Sequence, residues 1–526
     1  MANRYDAIII GGGHNGLVTA AYLARAGRKV LLLERRELLG GCSVTEEIWP
    51  GYRVSTAAYL TSLLQERIVS DLDLPRYGYR VAAKDPAFFS PFPDGRHLFF
   101  WQDGRRTFEE IAKFSKRDAD RFNEYEEYLE RLARVVESLL LVTPPEFPPR
   151  GVGDLVDYVR LLARFRGLGR RDTIALVKIF TMSATNLLDE WFESDQLKVT
   201  LATDAVIGAN GGPHSPGTAY ILLHHVMGAV GGKRGLWGFV RGGMGAISEA
   251  IAASARNYGA EIRTGAPIAK IVVSDGAARS VVLENGDEFS AHAIVSSVDP
   301  KRTFLGLMDP HELPPEFLER IRAFRTEGTS CKINLALNGL PSFKALPGAP
   351  GAQHKATMHI CPSVDYVERA WDDAKYGRPS QSPLLEMTVP TMYDPSLAPA
   401  GHHVMGIFLQ YAPYTLSESN WDELREPFAG RVFDIIEEYA PGFRSLVEHK
   451  QVLTPLDLER RFGITGGNIF HGEMSLDQMF VMRPVPGAAR YRAPVRGLWL
   501  CGSGAHPGGG VMGAPGYNAA REILKD

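Results

Sequence analysis

Four residues near the N-terminus have the types and spacing that hold a dinucleotide. Gly11, Gly13 and Gly16 form a G-x-G-x-x-G turn, and Glu34 follows the next apolar run. In such a turn the first glycine permits a tight bend, the second lets a pyrophosphate approach the backbone, and the third lets a helix pack closely on a strand. The pyrophosphate would rest on the free N–H groups at the start of that helix. The carboxylate of Glu34 is placed to accept hydrogen bonds from ribose hydroxyl groups.

The apolar pattern predicts the elements that must position these residues. Tyr5 to Ile10 and Val30 to Leu33 are short apolar runs typical of buried parallel strands. Between them, apolar residues recur at helical spacing and Gly27 gives a C-terminal stop signal. A lone glycine turn is a weak signal, whereas one placed between two strands with an acid after the second is strong. We therefore predict a bound dinucleotide rather than a vestigial nucleotide fold.

Two further glycine-rich turns indicate a cofactor larger than NAD. Residues 39–43 read LGGCS and follow Glu34 closely, where a plain NAD domain has no special requirement. Residues 497–513 read GLWLCGSGAHPGGGVMG, a strand and a glycine loop, and a helical pattern comes next. The two ends of the chain are therefore expected to share one sheet, with the second loop offering N–H groups to the far side of a flavin. Cys42 is either a covalent flavin attachment point or a small packing residue, and we favour packing.

The segment before residue 300 indicates the fold class. A helix (Ile247 to Asn257) and a strand in GAEIRT come before a series of short strands, expected at Ile268–Val273, Arg279–Leu283, Glu288–Ala291 and Ala293–Ser296. A nucleotide domain interrupted by a small antiparallel meander is typical of FAD domains of the glutathione-reductase type. We predict an α/β fold with a discontinuous FAD-binding Rossmann domain, plus an α+β substrate domain with an antiparallel sheet and a helical cap.

Length and motif positions divide the chain. At 526 residues it is too long for one compact core. The predicted FAD-binding domain comprises residues 1–75, 235–300 and 476–526, and the predicted substrate domain comprises residues 76–234 and 301–475, with the cap at about 105–200. In the substrate domain, two strands and a helix are expected at Lys332–Leu337, Val404–Gln410 and Trp421–Tyr439.

Composition and charge exclude several classes of protein. A net charge of −3 gives no global case for binding nucleic acid or an anionic membrane. The four cysteines form no C-x-x-C pair, which argues against a redox-active dithiol, and they are too scattered for a zinc site, so no metal is expected. The first predicted strand leaves no room for a signal peptide, and no apolar run reaches the ~20 residues of a bilayer span. A cytoplasmic protein, at most attached to a membrane surface, is expected.

Two helical patterns are expected in the cap. Apolar residues from Phe122 to Leu139 recur at alternating spacings of three and four, and we favour a helix packed on the protein body over a coiled-coil dimer. A second apolar face, from Leu155 to Ala163, adjoins five arginines within positions 160–171. Such a basic amphipathic helix either lies on anionic lipid or is a solvated part of the cap, and we favour the solvated helix.

These motifs together resemble the phytoene dehydrogenase and carotenoid isomerase group of FAD flavoproteins, and most closely its branch named pyridine nucleotide-disulfide oxidoreductase domain-containing protein 2. The resemblance covers nearly the whole chain. It rests on GGGHNGLVTAAYLARAG with Glu34 and LGG, on SPGT, on WGFVRGGMG and on the C-terminal glycine loop. The first and last motifs are specific for the FAD fold and much less so for a substrate. Because the chain lacks paired cysteines, we discount the disulfide chemistry in the branch name.

The resemblance implies noncovalently bound FAD. It places around the cofactor Gly11, Gly13, His14, Asn15 and Gly16 at the pyrophosphate, Glu34, Arg35 and Ile268 at the adenosine, Gly41, Cys42 and Ser43 along the flavin, and Arg241, Gly243, Met244, Gly502, Ser503, Gly510, Val511 and Met512 around the ring and phosphates. His506 is the titratable side chain of the last loop and a candidate acid or base. A structural hydrogen bond within the glycine loop is the interpretation we favour for it.

By the same resemblance, the expected function is an FAD-dependent dehydrogenase, desaturase or isomerase. Its substrate would be apolar, with polyisoprenoids as a candidate class, and hydride would pass from substrate carbon to flavin N5, with oxygen or a quinone as electron acceptor. A flavin amine oxidase is the first alternative, since it shares the N-terminal motif and the domain plan. A non-catalytic binding or regulatory protein on the GDP-dissociation-inhibitor-like fold is the second, and the intact glycine loops argue against it.

Overall fold

Two seven-stranded sheets organise residues 4–526, which are the residues that the computed structural model describes. The strands, numbered in chain order, are β1 (Arg4–Ile10), β2 (Val30–Leu33), β3 (Thr45–Trp49), β4 (Tyr52–Ser55), β5 (Val81–Ala83), β6 (Phe88–Pro91), β7 (His97–Phe100), β8 (Ala229–Val230), β9 (Lys233–Arg234), β10 (Gly238–Val240), β11 (Glu261–Arg263), β12 (Ile268–Ser274), β13 (Ala277–Leu283), β14 (Glu288–Ser296), β15 (Ser330–Leu337), β16 (Thr357–Ile360), β17 (Leu384–Thr388), β18 (His403–Gln410), β19 (Val447–Leu453) and β20 (Leu498–Leu500).

The α-helices, numbered likewise, are α1 (His14–Arg25), α2 (Glu66–Asp71), α3 (Gly104–Ala112), α4 (Lys116–Glu137), α5 (Val152–Ala163), α6 (Arg170–Thr181), α7 (Ala184–Trp191), α8 (Asp195–Ala202), α9 (Thr218–Val226), α10 (Gly245–Asn257), α11 (Pro315–Ala323), α12 (Ala352–Lys355), α13 (Val364–Lys375), α14 (Trp421–Tyr439), α15 (Phe443–Leu446), α16 (Pro455–Phe462) and α17 (Ala514–Ile523).

The first sheet has the order β11-β2-β1-β14-β13-β12, and β20 also pairs with β14. Strands β11, β2, β1, β14 and β20 run parallel, whereas β12 and β13 form an antiparallel extension. Helices α1, α10 and α17 pack together on this sheet, with their apolar faces in its core. The prediction that both ends of the chain share one sheet is confirmed, because β1 and β20 both pair with β14.

One predicted boundary within this sheet is wrong. The runs at 288–291 and 293–296 are predicted as separate strands, but they form the single strand β14. Its first residues pair with β13 in the antiparallel extension, and its later residues pair in parallel with β1 and β20. His292 lies between the two runs with its side chain exposed on the sheet, so that it interrupts the apolar pattern without breaking the strand.

The second sheet has the order β19-β15-β18-β17-β16-β6-β7. It is antiparallel except for the pairing of β6 with β16. The strands expected at 332–337 and 404–410 are β15 and β18, and the expected helix is α14 with the predicted bounds. One face of the sheet forms a core with α14. The strands of the two sheets fall within the segments predicted for the two domains, although the domain boundaries themselves remain a prediction.

The cap is helical. Helix α4 buries the predicted face, including Phe122, Tyr125, Leu129, Leu132 and Val136, in a cluster with α7, α8 and α9. Helix α5 has no buried residue. Within residues 4–526, we find no helix with both the length and the apolar character needed to cross a bilayer.

Candidate active site

The first glycine turn leaves no room for side chains. Gly11 has a φ of +92°, in the region that favours glycine. A Cβ on Gly16 would lie 2.3 Å from the carbonyl oxygen of Gly11, so α1 can pack against the end of β1 only with glycine at position 16. Gly12, to which sequence reasoning gave no role, is also constrained, because its Cβ would lie 2.8 Å from Cδ2 of Leu39 and 3.1 Å from Cβ of Glu34.

Helix α1 begins with uncapped N–H groups. Its N-cap residue, Gly13, provides no side chain, and no side-chain hydrogen bond caps the first turn. Oε2 of Glu34 accepts the N–H of Gly12 at 2.6 Å, and Oε1 accepts the N–H of Arg36 at 2.9 Å. These bonds hold the carboxylate beside the turn while each oxygen retains a lone pair for a ribose hydroxyl. A positive helix end next to a fixed carboxylate is suited to a dinucleotide.

The three glycine turns meet around one cavity. Gly13 and Gly40 form a parallel bridge, and Nδ2 of Asn15 donates to Oγ of Ser503 at 3.0 Å. The cavity beside them has an empty volume of about 1470 Å³. The predicted residues that line it are Gly13, His14, Asn15, Gly41, Cys42, Ser503, Gly510 and Val511.

Buried polar atoms around this cavity lack partners among the described residues. They include Nε2 of His14, Oδ1 of Asn15 and Nζ of Lys332. An unpaired buried polar group costs roughly 1–3 kcal/mol, so a bound group that supplies hydrogen bonds here is favoured. Together with the bare helix start and the glycine turns, these atoms fit a flavin dinucleotide.

Three of the residues predicted to contact FAD do not line the cavity and instead support the second glycine turn. Oγ of Ser43 donates to the carbonyl oxygen of Met244 at 3.1 Å, and the N–H of Met244 donates to Oγ of Ser55 at 3.0 Å. A Cβ on Gly243 would lie 2.3 Å from Oγ1 of Thr45. Ser43, Gly243 and Met244 are absent from the cavity lining, and their observed contacts hold the turn against the start of α10.

The remaining predicted contacts also lie outside the lining of this cavity. Arg241 is exposed, whereas Met512 is buried in the helical cluster of the cap. A Cβ on Gly502 would lie 2.3 Å from the carbonyl oxygen of Ser297, so this glycine permits close packing of the loop. Arg35 donates to the carbonyl oxygen of Arg461 at 2.7 Å.

Ile268 is the first residue of β12 and is partly buried. The predicted contacts of Arg35 and Ile268 with adenosine therefore stay predictions.

Neither Cys42 nor His506 has the environment of a reactive group. Burial raises the pKa of the Cys42 thiol to about 12, so it stays protonated at neutral pH. Burial lowers the pKa of His506 to about 4. Its Nε2 lies 3.1 Å from the carbonyl oxygen of Leu139, and its ring packs edge-on against Phe480. We expected His506 to form a hydrogen bond within the glycine loop. Its partner is instead Leu139, which lies just beyond the end of α4.

A transverse row of side chains crosses the second sheet beside the cavity. Lys332 on β15 pairs with Phe408 on β18, Phe408 pairs with Glu386 on β17, and Glu386 pairs with His359 on β16. Directly paired residues in adjacent strands lie on the same face of a sheet. Lys332, Phe408 and Glu386 line the cavity. The sheet therefore contributes a wall that combines apolar and ionisable groups.

Lys332 is the unpaired cation of this row. Its side chain is buried, and Nζ makes no hydrogen bond to the described residues. Nζ lies 4.0 Å from the centroid of the Tyr59 ring, and that ring stacks on Phe408. Burial lowers the pKa of Lys332 to about 7. A large fraction of this amine is therefore uncharged at neutral pH, which allows it to accept a proton.

Glu386 is a paired anion. Its Oε1 accepts a hydrogen bond from the Tyr59 hydroxyl at 2.6 Å, and its Oε2 lies 3.2 Å from Nε2 of His359. Burial would raise the pKa of Glu386, but the hydrogen bonds from His359 and Tyr59 and the charge of Lys84 lower it to about 2. Nζ of Lys84 in turn donates to Oγ1 of Thr357.

A buried arginine anchors the last glycine loop. The guanidinium of Arg483 donates to the carbonyl oxygens of Ser503, at 2.9 Å, and of Phe470, at 2.8 Å. Burial lowers the pKa of Arg483 to about 9, and backbone carbonyls supply its hydrogen bonds. This arrangement holds Ser503, and through it Asn15, at the cavity.

Sequence reasoning missed Lys332, Glu386, Tyr59 and Arg483. A usable signal existed for two of them, because Lys332 and Glu386 are isolated charges in the otherwise apolar runs SCKINLAL and LLEMT. A charged residue in a fully buried strand requires a partner or a function. The pattern of strand pairing that brings them into one row is a tertiary property.

Comparison with known proteins identifies the class. The sequence profile of the flavin containing amine oxidoreductase family matches residues 16–405. The chain therefore belongs to this family, and it is an FAD-dependent oxidoreductase. This membership decides against the non-catalytic carrier alternative.

Sequence identities to three relatives show which proteins the chain is similar to. It is 46% identical to pyridine nucleotide-disulfide oxidoreductase domain-containing protein 2 of Rattus norvegicus, over 99% of this chain and 94% of the relative. It is 28% identical to one subunit of the limonene dehydrogenase of Castellaniella defragrans, over 99% and 94%. It is 24% identical to a lycopene-forming phytoene desaturase of Pseudescherichia vulneris, over 96% of each. The resemblance stated above is confirmed.

Two solved structures share the fold. An oxidoreductase from Methanosarcina mazei aligns with a TM-score of 0.60 at 15% identity, covering 99% of this chain and 100% of the other. Cyclohexylamine oxidase from Brevibacterium oxydans aligns with a TM-score of 0.56 at 15% identity, covering 99% of each chain. The predicted fold class, with an FAD-binding α/β part and a second antiparallel sheet, is confirmed.

Proposed function

We propose that this protein oxidises an apolar organic substrate in the cavity between the glycine turns and the second sheet. One observation carries the proposal: the same cavity joins a cradle that fits FAD to a wall holding the unpaired, buried amine of Lys332. Apolar side chains such as Phe408, Ile207 and Ile464 fill much of the remaining lining. The names of two relatives, a limonene dehydrogenase and a phytoene desaturase, support an isoprenoid class of substrate.

The side chains supply binding, desolvation and a proton acceptor. FAD, when bound, provides the two-electron acceptor for a hydride leaving substrate carbon. The apolar lining excludes water from the reacting carbon atoms. In a desaturation, one C–H bond loses hydride, its neighbour loses a proton, and the electron pair left behind forms the C=C bond. The neutral amine of Lys332 takes that proton. Oxygen or a quinone would serve as the final electron acceptor.

Anaerobic spectroscopy of the FAD-loaded protein tests this proposal. The protein is mixed with limonene, a linear polyene, a primary amine or NADH, and the flavin absorbance is followed. We expect bleaching by an isoprenoid hydrocarbon and none by the amine or NADH. Absence of bleaching by every isoprenoid, with bleaching by an amine, would replace the proposal with the amine oxidase alternative.

A specific observation favours that alternative. Tyr59 and Phe408 stack with ring centroids 5.8 Å apart and an angle of 27° between their planes, and both line the cavity. Stacked aromatic rings and the nearby carboxyls of Glu386 and Asp204 could hold an ammonium group. Nζ of Lys332, however, already lies over the Tyr59 ring and occupies the position that an ammonium ion would take there. Hydrogen peroxide production that depends on an added amine tests this alternative directly.

A contact between α5–α6 and an anionic bilayer surface is a second part of the proposed function. Seven of the twelve exposed large hydrophobic side chains among the described residues lie on these two helices, at Val152, Leu155, Val156, Val159, Leu162, Ile174 and Val177. Five arginines adjoin them, at positions 160, 164, 166, 170 and 171. Apolar side chains beside a run of cations suit an interface with acidic lipid, which supports delivery of an apolar substrate from a membrane.

Vesicle flotation tests the membrane contact. The FAD-loaded protein is mixed with phosphatidylcholine vesicles with and without phosphatidylserine. We expect binding that requires phosphatidylserine, that is lost when the five arginines are changed to glutamate, and that survives their change to lysine. Equal flotation of the glutamate and lysine variants would refute the contact.

A further inference from the structure

A second cavity lies next to the one that fits FAD. It is lined by α4, the turn between β7 and α3, and residues 232–236, and its empty volume of about 1690 Å³ includes space open to solvent. Its apolar lining includes Phe100, Phe122, Tyr125, Leu129, Leu222 and Leu236. Its charged lining is formed by Glu126, Glu127, Glu130, Asp204, Lys233 and Arg234. Apolar and charged groups thus line the same cavity. Such a mixed lining suits a molecule that passes from water or a lipid headgroup region into an apolar interior.

Two residues belong to the walls of both cavities, Phe88 and Asp204. The centroid of the Phe88 ring lies 5.0 Å from that of the His359 imidazole. His359 belongs to the transverse row beside the first cavity. On its other side, the Phe88 ring lies 5.8 Å from the ring of Phe100, which lines the second cavity. The carboxyl of Asp204 makes no hydrogen bond to the side chains and backbone of the described residues, so it does not tether this partition. An aromatic side chain therefore forms part of the boundary between the two spaces.

We propose that the second cavity is the access vestibule and the outer half of the substrate site, with Phe88 as the gate that determines specificity. This inference rests on the proposed function and names its substrate class: an elongated molecule whose apolar chain passes Phe88, with one end beside the flavin and the other among the side chains of α4. A compact substrate would fill the first cavity alone and leave the second without a role.

Phe88 and its neighbour Phe89 form a matched pair for testing this. Consecutive residues of a strand point to opposite faces of a sheet. Phe88 lines both cavities, whereas Phe89 is fully buried in the core on the other face, against Phe99 and Phe343. Substitution at position 88 changes the gate, and the same substitution at position 89 changes only the core.

The experiment measures binding of straight-chain primary alcohols, from butanol to dodecanol, to the oxidised FAD-loaded protein through the flavin difference spectrum. In the parent, we expect the dissociation constant to fall by up to about fourfold per added methylene along the whole series, because each methylene leaves water for an apolar wall. In Phe88→Trp the fall should stop at the length that fills the first cavity. Phe88→Leu should keep the full slope, and Phe89→Leu should match the parent.

Identical length profiles for the parent and Phe88→Trp would overturn the inference, as would a parent profile that levels off within the short alcohols. Each variant is first shown to retain its flavin spectrum and a cooperative thermal transition, and the length profile of the parent decides the outcome if Phe88→Trp does not fold. Since the readout is equilibrium binding, a failure of the proposed oxidation would appear separately, as a flavin that no isoprenoid reduces while the length profile persists.

Discussion

A Cβ on Gly406 would lie 2.6 Å from Nζ of Lys332. Gly406 belongs to β18 and pairs with Asn334, two residues beyond Lys332 on β15. The amine therefore occupies space that is available only because position 406 has no side chain. The lack of a side chain at position 406 thus helps to position Lys332, the proposed proton acceptor.

Gly406→Ala should displace this amine. We expect flavin reduction by substrate to slow by roughly tenfold, equivalent to ~1.4 kcal/mol, with the flavin spectrum retained. Stopped-flow measurement of the reduction rate checks this. Gly430→Ala is the control, because a Cβ there meets nothing within 4 Å. If the amine is the affected group, Gly406→Ala should add little to the defect of Lys332→Met.

The pH dependence of reduction should report Lys332. Its pKa of about 7 means that the amine carries a proton below this pH and is free to accept one above it. The reduction rate should therefore rise with pH through about 7 and then level off. Lys332→Met should lower the rate and abolish this step, and Lys332→Arg should not restore it, because a guanidinium stays protonated. A step of unchanged midpoint in Lys332→Met would assign it to another group.

Glu386→Gln should destabilise the fold in a pH-dependent manner. The folded-state pKa of Glu386 is about 2 and its unfolded value is about 4.3, so its ionised form stabilises the protein above pH 4.3, and this contribution is lost as the pH falls through 2. The shift corresponds to at most about 3 kcal/mol. Urea unfolding should therefore show the two proteins converging at acid pH.

Glu448→Gln provides the matched control for that experiment. Glu448 also accepts a 2.6 Å hydrogen bond from a tyrosine, Tyr52, but its side chain is 32% exposed. Its substitution should cost less than about 1 kcal/mol at any pH. A cost for Glu386→Gln no larger than this would mean that the buried network contributes little to stability.

FAD should be bound noncovalently, with Cys42 serving as a packing residue. Its thiol is partly buried and stays protonated at neutral pH, which makes it a poor nucleophile. Acid precipitation should release all flavin to the supernatant from both the parent and Cys42→Ala. Flavin that stays with the precipitated parent and not with Cys42→Ala would establish a covalent bond instead.

His506→Ala should affect stability and leave chemistry intact. The imidazole is neutral at pH 7 and contacts Leu139 and Phe480 rather than the cavity. We expect a loss of about 1 kcal/mol in unfolding free energy and a reduction rate within threefold of the parent. His506→Asn, which retains one hydrogen-bonding group, should recover part of the stability. A rate loss of a hundredfold without a change in stability would make His506 a catalytic residue.

The strand, glycine turn and helix at the N-terminus could be predicted from the sequence because their determinants are local. Glycine spacing, the flanking strands and Glu34 all lie within thirty residues of one another. The row from Lys332 to His359 could not be predicted in the same way, because it depends on the order in which four strands pair. The backing role of Ser43 and Met244 is likewise a matter of tertiary packing. The continuous strand β14 was missed because one exposed histidine interrupts its apolar pattern.

The central strand β14 has a consequence for biosynthesis. Of its two parallel neighbours, β1 is translated before it, whereas β20 is translated about two hundred residues later, together with the loop that carries Ser503. On the ribosome, the nascent chain therefore has a first sheet without β20 and a cofactor site without its C-terminal glycine loop. We expect FAD to be captured stably only after translation of that loop, and the incomplete sheet edge to rely on chaperones until then.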